Sequence, residues 1–422
     1  VLLEFVCSNH KSIRQPIVFS MLAGSESSRE NEFIKWHKMN LLRSAVIYGA
    51  NGTGKSNFID AISFVKNFVV RGIMHQPGDG VRQLPHKLET ALTDSKYEMQ
   101  FIINDLRFAF GFTLNNYLVK EEYLYYFPNG RQTKIYERSG EKFLTGRKFT
   151  NKFTACKDIL KPNRLLLSCA ANFSTVEEVT LAYMFFKDSL VIYEYGESTQ
   201  SWMNYSLHQM ASNKPMKSAV LALMKSIGLD ITDVIVEIEE KSIPVDEAVL
   251  PDFLSDEFKK RLIQEKVDSI QARVIYSSFE TDLMSEESAG IKKLFSFLCP
   301  FIDIMFTGKV LICDELETSL HESLLQAILK FFSAFTQSNS QIIFTTHDTS
   351  LLDLGIFRRD QIWFTELRKE DRSTDLYSLA EIKNVRKGEK FGKGYILGKY
   401  GAIPMLNTSF ADTLERLSEV IK

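Results

Sequence analysis

The chain opens with apolar and polar residues taking turns. "LLEFVCSN" and "QPIVFSMLAG" each carry the period-two pattern of a strand. "SAVIYG", residues 44–49, replaces that alternation with an apolar run, which predicts a buried strand. The period then changes: "KSNFIDAISFVKNFVV" sets Phe58, Ile59, Ile62, Phe64, Val65, Phe68 and Val69 at helical spacing. From Tyr97 to Tyr136 aromatic and β-branched residues return, punctuated by "IND", "LNN" and "PNG", which predicts an antiparallel meander. Residues 175–270 predict mostly helices, such as "TVEEVTLAYMFFKDSLVIY" and "DEFKKRLIQEKVDSIQ", broken at "SNKP" and "KSIPVDEAVLPD". No heptad seam runs through them, which argues against a long coiled-coil arm. "LFSFLCPFIDIMF", from Leu294 to Phe306, reads as a buried helix or loop segment, and "VLICDEL" and "QIIFTTHD" as short apolar strands with polar ends.

Composition adds limits. The chain has 422 residues, 45% of them hydrophobic, enough for a sizeable core and two lobes. Lysine plus arginine (51) nearly balance aspartate plus glutamate (53), so bulk charge gives no reason to infer a polyanion partner. Cys7, Cys156, Cys169, Cys299 and Cys313 lack CxxC spacing, which argues against a zinc site or a disulfide framework and for a reducing compartment. The most apolar stretch is too short to cross a bilayer and is interrupted by Pro300 and Asp303. The N-terminal segment lacks the order of a signal peptide, so the expected location is cytoplasmic, with no membrane partner.

The chemistry concentrates in three places. "GANGTGKS", Gly49 to Ser56, matches GxxxxGK[ST] between a predicted strand and a predicted helix, the context that pattern requires. Its glycines, Gly49, Gly52 and Gly54, let the backbone curl so that N–H groups of the loop, Asn51 included, converge on a phosphate at the helix N-terminus, which continues through Asn57. Lys55 suits the β- and γ-phosphates of ATP, and the Ser56 hydroxyl suits Mg2+. "VLICDE" delivers two adjacent carboxylates at a strand end: Asp314 suits the Mg2+ shell and Glu315 a general base acting on water. "IIFTTHD" ends the next strand at His347, which can hydrogen-bond a γ-phosphate. In "LMSEESAGIKKLFSFL", Ser288, Ala289 and Gly290 either start a helix or also offer N–H groups and a hydroxyl to an anion. The order of parts predicts an α/β P-loop NTPase.

That order resembles the ABC-type ATPase heads of the RecF, SMC and OLD group, over the first seventy residues or so and Met284 to Asp348. "SNHKSI" stands where the group has "xNFRSI", so the resemblance implies Lys11 in the arginine's place near the phosphates. "SAG" at Ser288 to Gly290 resembles the Ser-Gly-Gly of the LSGGQ signature, with Ala289 a departure, and "ETSLH" at Glu317 to His321 resembles the stretch at the group's dimer interface. The glutamine loop has two candidates, Gln100 and Asn172. "GYILGKYGAIPML", Gly394 to Leu406, resembles the ending of prokaryotic AAA-family ATPases of phage-defence operons, the RloA-like and PtuA-like proteins. OLD proteins continue into a Toprim nuclease domain, for which the seventy-five or so residues after the histidine strand are too few.

The resemblance implies an ABC-type head with a mixed central sheet, an antiparallel meander and an inserted helical subdomain. The implied division is an N-terminal ATPase lobe (1–170), a helical insertion (171–275), a C-terminal ATPase lobe (276–370) and a basic tail packing on the core (371–422). It also implies ATP and Mg2+, sandwiched in pairs within a homodimer or higher homo-oligomer, each copy's Ser288 and Gly290 completing its partner's site. The first functional reading is an ATP-driven switch for a separate antiviral effector. A RecF-like clamp on duplex DNA is the alternative, and a stand-alone nucleotide phosphatase the third. The tail "KNVRKGEKFGKGYILGKY" holds Lys383, Arg386, Lys387, Lys390, Lys393 and Lys399 against Glu389. It reads either as a solvated face or, through Phe391, Tyr395 and Tyr400, as a contact for nucleic acid or an effector.

Overall fold

The computed structural model describes all residues except 25–32, 91, 195, 197, 243–265, 353–354, 384, 386–388, 404–416 and 418–422. In chain order the strands are β1 (Leu2–Ser8), β2 (Ile17–Ser20), β3 (Phe33–Trp36), β4 (Met39–Leu42), β5 (Ser44–Tyr48), β6 (Ser95–Ile103), β7 (Leu106–Leu114), β8 (Val119–Tyr126), β9 (Thr133–Ser139), β10 (Lys142–Thr145), β11 (Leu190–Tyr193), β12 (Ile231–Ser242), β13 (Lys266–Tyr276), β14 (Glu280–Asp282), β15 (Val310–Cys313), β16 (Gln341–Thr345), β17 (Ile362–Leu367) and β18 (Thr374–Ser378). The α-helices are α1 (Lys55–Arg71), α2 (Cys156–Ile159), α3 (Leu166–Phe173), α4 (Glu177–Met184), α5 (Thr199–Ser212), α6 (Lys214–Ser226), α7 (Ala289–Thr307), α8 (Glu322–Ala334) and α9 (Phe391–Ile396). They divide into two units. One comprises Val1–Leu190, Ile312–Asp314 and Gln341–Lys422, the other Val191–Leu311 and Glu315–Ser340.

The first unit contains the expected meander. An antiparallel sheet runs β10-β9-β8-β7-β6-β1-β2. Alternation puts Tyr97, Met99 and Phe101 of β6 and Phe108, Phe110 and Phe112 of β7 on one buried face. A second sheet of this unit carries the run β15-β16-β5-β17-β18, β15 entering it with Ile312 and Cys313. Strand β5 is buried at every position and is parallel to both β16 and β17, as an unbroken apolar run requires. Helix α1 leaves the loop after β5 and presents Phe58, Ile62, Val65 and Val69 inward; the Phe58 ring centroid lies 5.9 Å from that of Phe5 and 5.2 Å from that of Phe19. The helix is thereby fixed against the first sheet.

The second unit is α+β rather than helical. Helix α7 is buried over most of its length and carries Pro300 inside it; Gly308, at φ 70°, caps its C-terminus. Trp202 of α5 stacks on Phe297 of α7 with centroids 5.8 Å apart, and Ser206 donates to the Ser296 carbonyl at 3.0 Å. Strands β12, β13 and β14 form an antiparallel sheet.

Two expectations for residues 175–270 are corrected here. "SLVIY" does not continue a helix: α4 ends at Met184, a π-helical turn spans Phe185–Ser189, and Leu190–Tyr193 is extended. The helix expected across "DEFKKRLIQEKVDSIQ" is strand from Lys266 onward, and its first ten residues lie outside the described residues, as does most of "KSIPVDEAVLPD". Glutamate and lysine favour helix locally, but in β12 and β13 the inward residues recur every second position (Val234, Ala272 and Val274 are buried) and cross-strand pairing decides the outcome.

Candidate functional site

Gly49 to Ser56 bridges the end of β5 and the start of α1, and its conformation is set by what lies beneath it. Gly54, at φ 106°, caps α1, whose first turn carries no acidic residue, so the positive end of the helix is left for an external anion. Gly52 also has positive φ, 78°, and is exposed together with Asn51 and Ser56, while Thr53, Gly54 and Lys55 are buried. The Lys55 ammonium donates to the carbonyls of Gly49 at 2.8 Å and Ala50 at 3.2 Å, folded back over its own loop.

Hydroxyl groups from distant strands brace the loop. Thr53 Oγ1 lies 2.7 Å from Thr365 Oγ1 of β17 and donates to the Ala50 carbonyl at 2.8 Å. Thr374 of β18 donates its hydroxyl to the Thr53 carbonyl at 2.8 Å and sits 2.7 Å from Ser12 Oγ, which accepts from Asn57 Nδ2 at 2.6 Å. A Cβ on Gly49 would lie 2.3 Å from Thr365 Oγ1, and one on Gly54 would lie 2.0 Å from Thr374 Oγ1. These glycines are therefore demanded by the brace as well as by the turn. Nothing in the spacing of Thr365 and Thr374 marks them in the sequence, and Ser12 lies within "SNHKSI" without a signal of this role.

The acidic and histidine strand ends come to the same edge. Parallel pairing sets Thr345 beside Ile47, and Thr346 N–H donates to the Ile47 carbonyl at 3.2 Å, so exposed His347 follows next to the end of the P-loop strand. Tyr48 donates its hydroxyl to the Asp348 carbonyl at 3.0 Å, tying that segment to β5. Thr345 donates to Asp314 Oδ1 at 2.5 Å and orients the carboxylate. Strand β16 thus stands between the loop strand and the acidic strand and joins them.

Lys11 is paired with Asp60 of α1, Nζ to Oδ1 at 2.8 Å, and has φ 49°. The other Asp60 oxygen meets the fully buried His10, whose Nδ1 lies 2.8 Å from the Tyr97 hydroxyl. Burial raises the Asp60 pKa, but hydrogen bonds from His10 and Lys11 outweigh it and hold the carboxyl below its ordinary value. Of the two glutamine-loop candidates, Gln100 lies on β6 between Glu4 and Arg107, and Asn172 donates to the Ser168 carbonyl.

Glu315, Ser288 and Gly290 belong to the second unit. Ser288 is exposed and caps α7, its hydroxyl accepting from Ile291 N–H at 3.3 Å. A Cβ on Gly290 would lie 2.8 Å from the Ser319 carbonyl, so glycine is what lets the start of α7 approach the segment after Glu315. Glu315 has φ 48°, and Thr318 donates to its carboxylate at 3.3 Å.

One expectation about the tail is corrected. Tyr395 and Tyr400 are buried and stack on Phe364 with centroids 5.5 and 6.0 Å away, so neither offers a face to a nucleic acid base. Arg386 and Lys387 lie outside the described residues, and Lys399 pairs with Glu389. Among the described residues no group of three or more His, Cys, Asp or Glu side chains gathers to hold a metal, and no helix is long and apolar enough to cross a membrane.

A phosphate-type loop between a buried parallel strand and a helix defines an α/β P-loop NTPase fold. The model of the family described as "AAA domain, putative AbiEii toxin, Type IV TA system" matches residues 44–152 and 240–353, more than half of the chain, and the chain belongs to that family. No curated protein matches it. Among solved structures it is similar to an SMC head bound to the C-winged helix domain of ScpA, with TM-score 0.47 and 14% identity over 89% of this chain and 97% of that one. It is also similar to the SMC head domain from Thermotoga maritima, with TM-score 0.42 and 13% identity over 89% of this chain and 98% of that one. A third is an SMC head with an extended coiled coil bound to the C-terminal domain of ScpA derived from Pyrococcus furiosus, with TM-score 0.37 and 13% identity over 94% of this chain and 98% of that one.

Proposed function

We propose that this chain is a Mg2+-dependent ATPase acting as a switch: two copies pair around ATP, and the paired state is passed to a separate effector protein. The observation that carries this reading is the convergence of the P-loop, Asp314 held by Thr345, and His347 at the ends of adjacent strands. In this reading the N–H groups of Gly49, Asn51, Gly52, Gly54, Lys55, Ser56 and Asn57 enclose the phosphates, with Gly52 and Gly54 shaping the turn, and Lys55 leaves its loop carbonyls for the β- and γ-phosphates. Ser56 and Asp314 supply hydroxyl and carboxylate oxygens, the hard donors Mg2+ takes beside substrate phosphates, and Thr345 fixes the carboxylate's direction. Mg2+ held there would neutralise charge on the phosphoryl oxygens. Glu315 accepts a proton from the attacking water and His347 hydrogen-bonds the γ-phosphate. Lys11 adds positive charge only by leaving Asp60, its ion-pair partner on α1. The start of α7, exposed Ser288 and half-buried Gly290, meets the nucleotide of the second copy, where the Ser288 hydroxyl and the positive end of the helix favour an anion.

The family description names a toxin of a type IV toxin–antitoxin system, and a defence effector answering to the switch is part of this proposal. Burial of Tyr395 and Tyr400 withdraws two of the tail's three aromatic rings from base stacking, and the proposal rests on no nucleic-acid contact. Sizing Glu315→Gln and Lys55→Ala chains with and without Mg-ATP tests the reading. Glu315→Gln should retain ATP and double in mass; Lys55→Ala should do neither. A Glu315→Gln chain that keeps its mass and holds no ATP overturns it.

A further inference from the structure

The closing motif "GYILGKYGAI" takes a specific shape in the first unit. Helix α9 ends at Ile396, the chain turns at Gly398 (φ 74°), and Tyr400 folds back beneath the helix. A Cβ on Gly394 would lie 2.5 Å from the Tyr400 hydroxyl, so only glycine admits that ring. Gly401 (φ 73°) and Ala402 (φ 58°) then turn through the left-handed region, where alanine is strained. A Cβ on Gly401 would meet Glu366 and Tyr377 at 2.7 Å.

What this buckle delivers is one carbonyl. Ala402, 1% exposed, accepts from the P-loop N–H of Ala50 at 3.0 Å and from the Tyr395 hydroxyl at 3.0 Å. Burial pushes the Tyr395 phenol up to about 12, so it remains a donor at neutral pH. Tyr377 donates to the neighbouring Tyr400 carbonyl at 2.7 Å, fixing the buckle to β18. The Tyr395 ring also lies 5.9 Å from Tyr48, the residue that holds the Asp348 carbonyl. One short segment therefore touches the nucleotide loop and, through Tyr48, the backbone after His347.

We propose that Phe391–Ala402 is a positioning element of the nucleotide site: by hydrogen-bonding Ala50 it fixes the P-loop in its binding shape. The proposal rests on the ATP reading above. Because the buckle meets the P-loop at Ala50, its effect falls on nucleotide affinity before the chemical step.

The test is binding of a fluorescent ATP analogue with Mg2+ to the full chain, with steady-state ATP hydrolysis and thermal melting beside it. Tyr395→Phe keeps the ring and loses one donor; it should weaken binding by about three- to tenfold, the worth of one hydrogen bond. KM should rise in step while kcat holds, and the melting temperature of the nucleotide-free chain should fall by no more than the few degrees that one lost hydrogen bond accounts for. Gly394→Ala expels Tyr400 and should weaken binding further, and Ala402→Gly, which keeps the carbonyl and accepts the positive φ, should bind as the wild type does. If the wild-type chain binds and Tyr395→Phe binds equally well, the proposal is overturned; should Gly394→Ala fail to fold, Tyr395→Phe alone decides. A wild-type chain that binds no nucleotide refutes the ATP reading itself.

Discussion

Lys293, 1% exposed on α7, donates its ammonium to the Leu316 carbonyl at 2.8 Å. The same group reaches the carbonyls of Thr318 at 2.5 Å and Glu315 at 3.5 Å, so one buried cation holds the backbone on which the proposed general base is carried. Lys293 lies five positions after Ser288, and the helix capped by the signature-like serine is thus joined to the glutamate's segment within the second unit.

Replacing Lys293 by methionine keeps the apolar stem and leaves these carbonyls without that donor. Unsatisfied buried groups of this kind cost about 1–3 kcal/mol, so thermal melting should show a clear loss of stability. Turnover should fall further than ATP affinity, because the carboxylate loses its position and the P-loop does not. Equal losses in kcat and in affinity would show that Lys293 acts on the fold alone.

The loop glycines separate strain from collision. At Gly52 the φ of 78° is demanding but nothing lies within 4 Å of an added Cβ. Gly52→Ala should therefore cost about 1–2 kcal/mol, the ordinary strain of a left-handed residue. At Gly49 the added atom would lie 2.6 Å from the Thr365 carbonyl, which is strand backbone and cannot move aside. Gly49→Ala should cost about 3 kcal/mol or more, as overpacking against backbone does. Chemical denaturation of the two variants gives the comparison, and an equal cost would remove the brace from the explanation.

What the residue pattern revealed was local. An apolar run, a glycine turn and a helical repeat follow one another between residues 44 and 69, so strand, loop and helix could be read directly. The hydroxyl brace could not, since Thr53 and Thr365 lie 312 residues apart and Thr53 and Thr374 lie 321 apart. Lys293 reads in the sequence as one of two adjacent lysines at the start of a helix, and only packing turns it inward. For β12 and β13 the composition pointed to helix, and the pairing between them overrode it. Tyr395 and Tyr400 looked available for stacking because exposure is not written in a charge run; the Phe364 platform buries them.

Glu122 and Arg138 form a buried pair, with Oε2 and Nη1 at 3.3 Å and both side chains fully inaccessible. Glu122 also accepts from Leu166 N–H at 2.6 Å, Leu167 N–H at 2.8 Å and the Tyr136 hydroxyl at 2.7 Å, so it anchors the start of α3 to the meander. Glu122→Ala strands a buried guanidinium and should destabilise the chain by about 3–5 kcal/mol. Denaturant titration checks this, and a loss below about 1 kcal/mol, the level of an exposed pair, would contradict it.

Asp60 gives the expected acid response its sign. Its carboxylate is held below the ordinary value because hydrogen bonds from His10 and Lys11 outweigh the opposing effect of burial. A depressed folded-state pKa means that the unfolded chain takes up the proton first. The stability Asp60 contributes is therefore fully present above the ordinary carboxylate value of about 4 and is lost as pH falls through the lower folded-state value. Asp60→Asn should melt below the wild type at neutral pH, with the gap narrowing as pH is lowered past about 4. Melting temperatures of both chains across that range test it. A gap that stays constant or widens toward acid would mean that the Asp60 charge is not what ties Lys11 and His10 to α1.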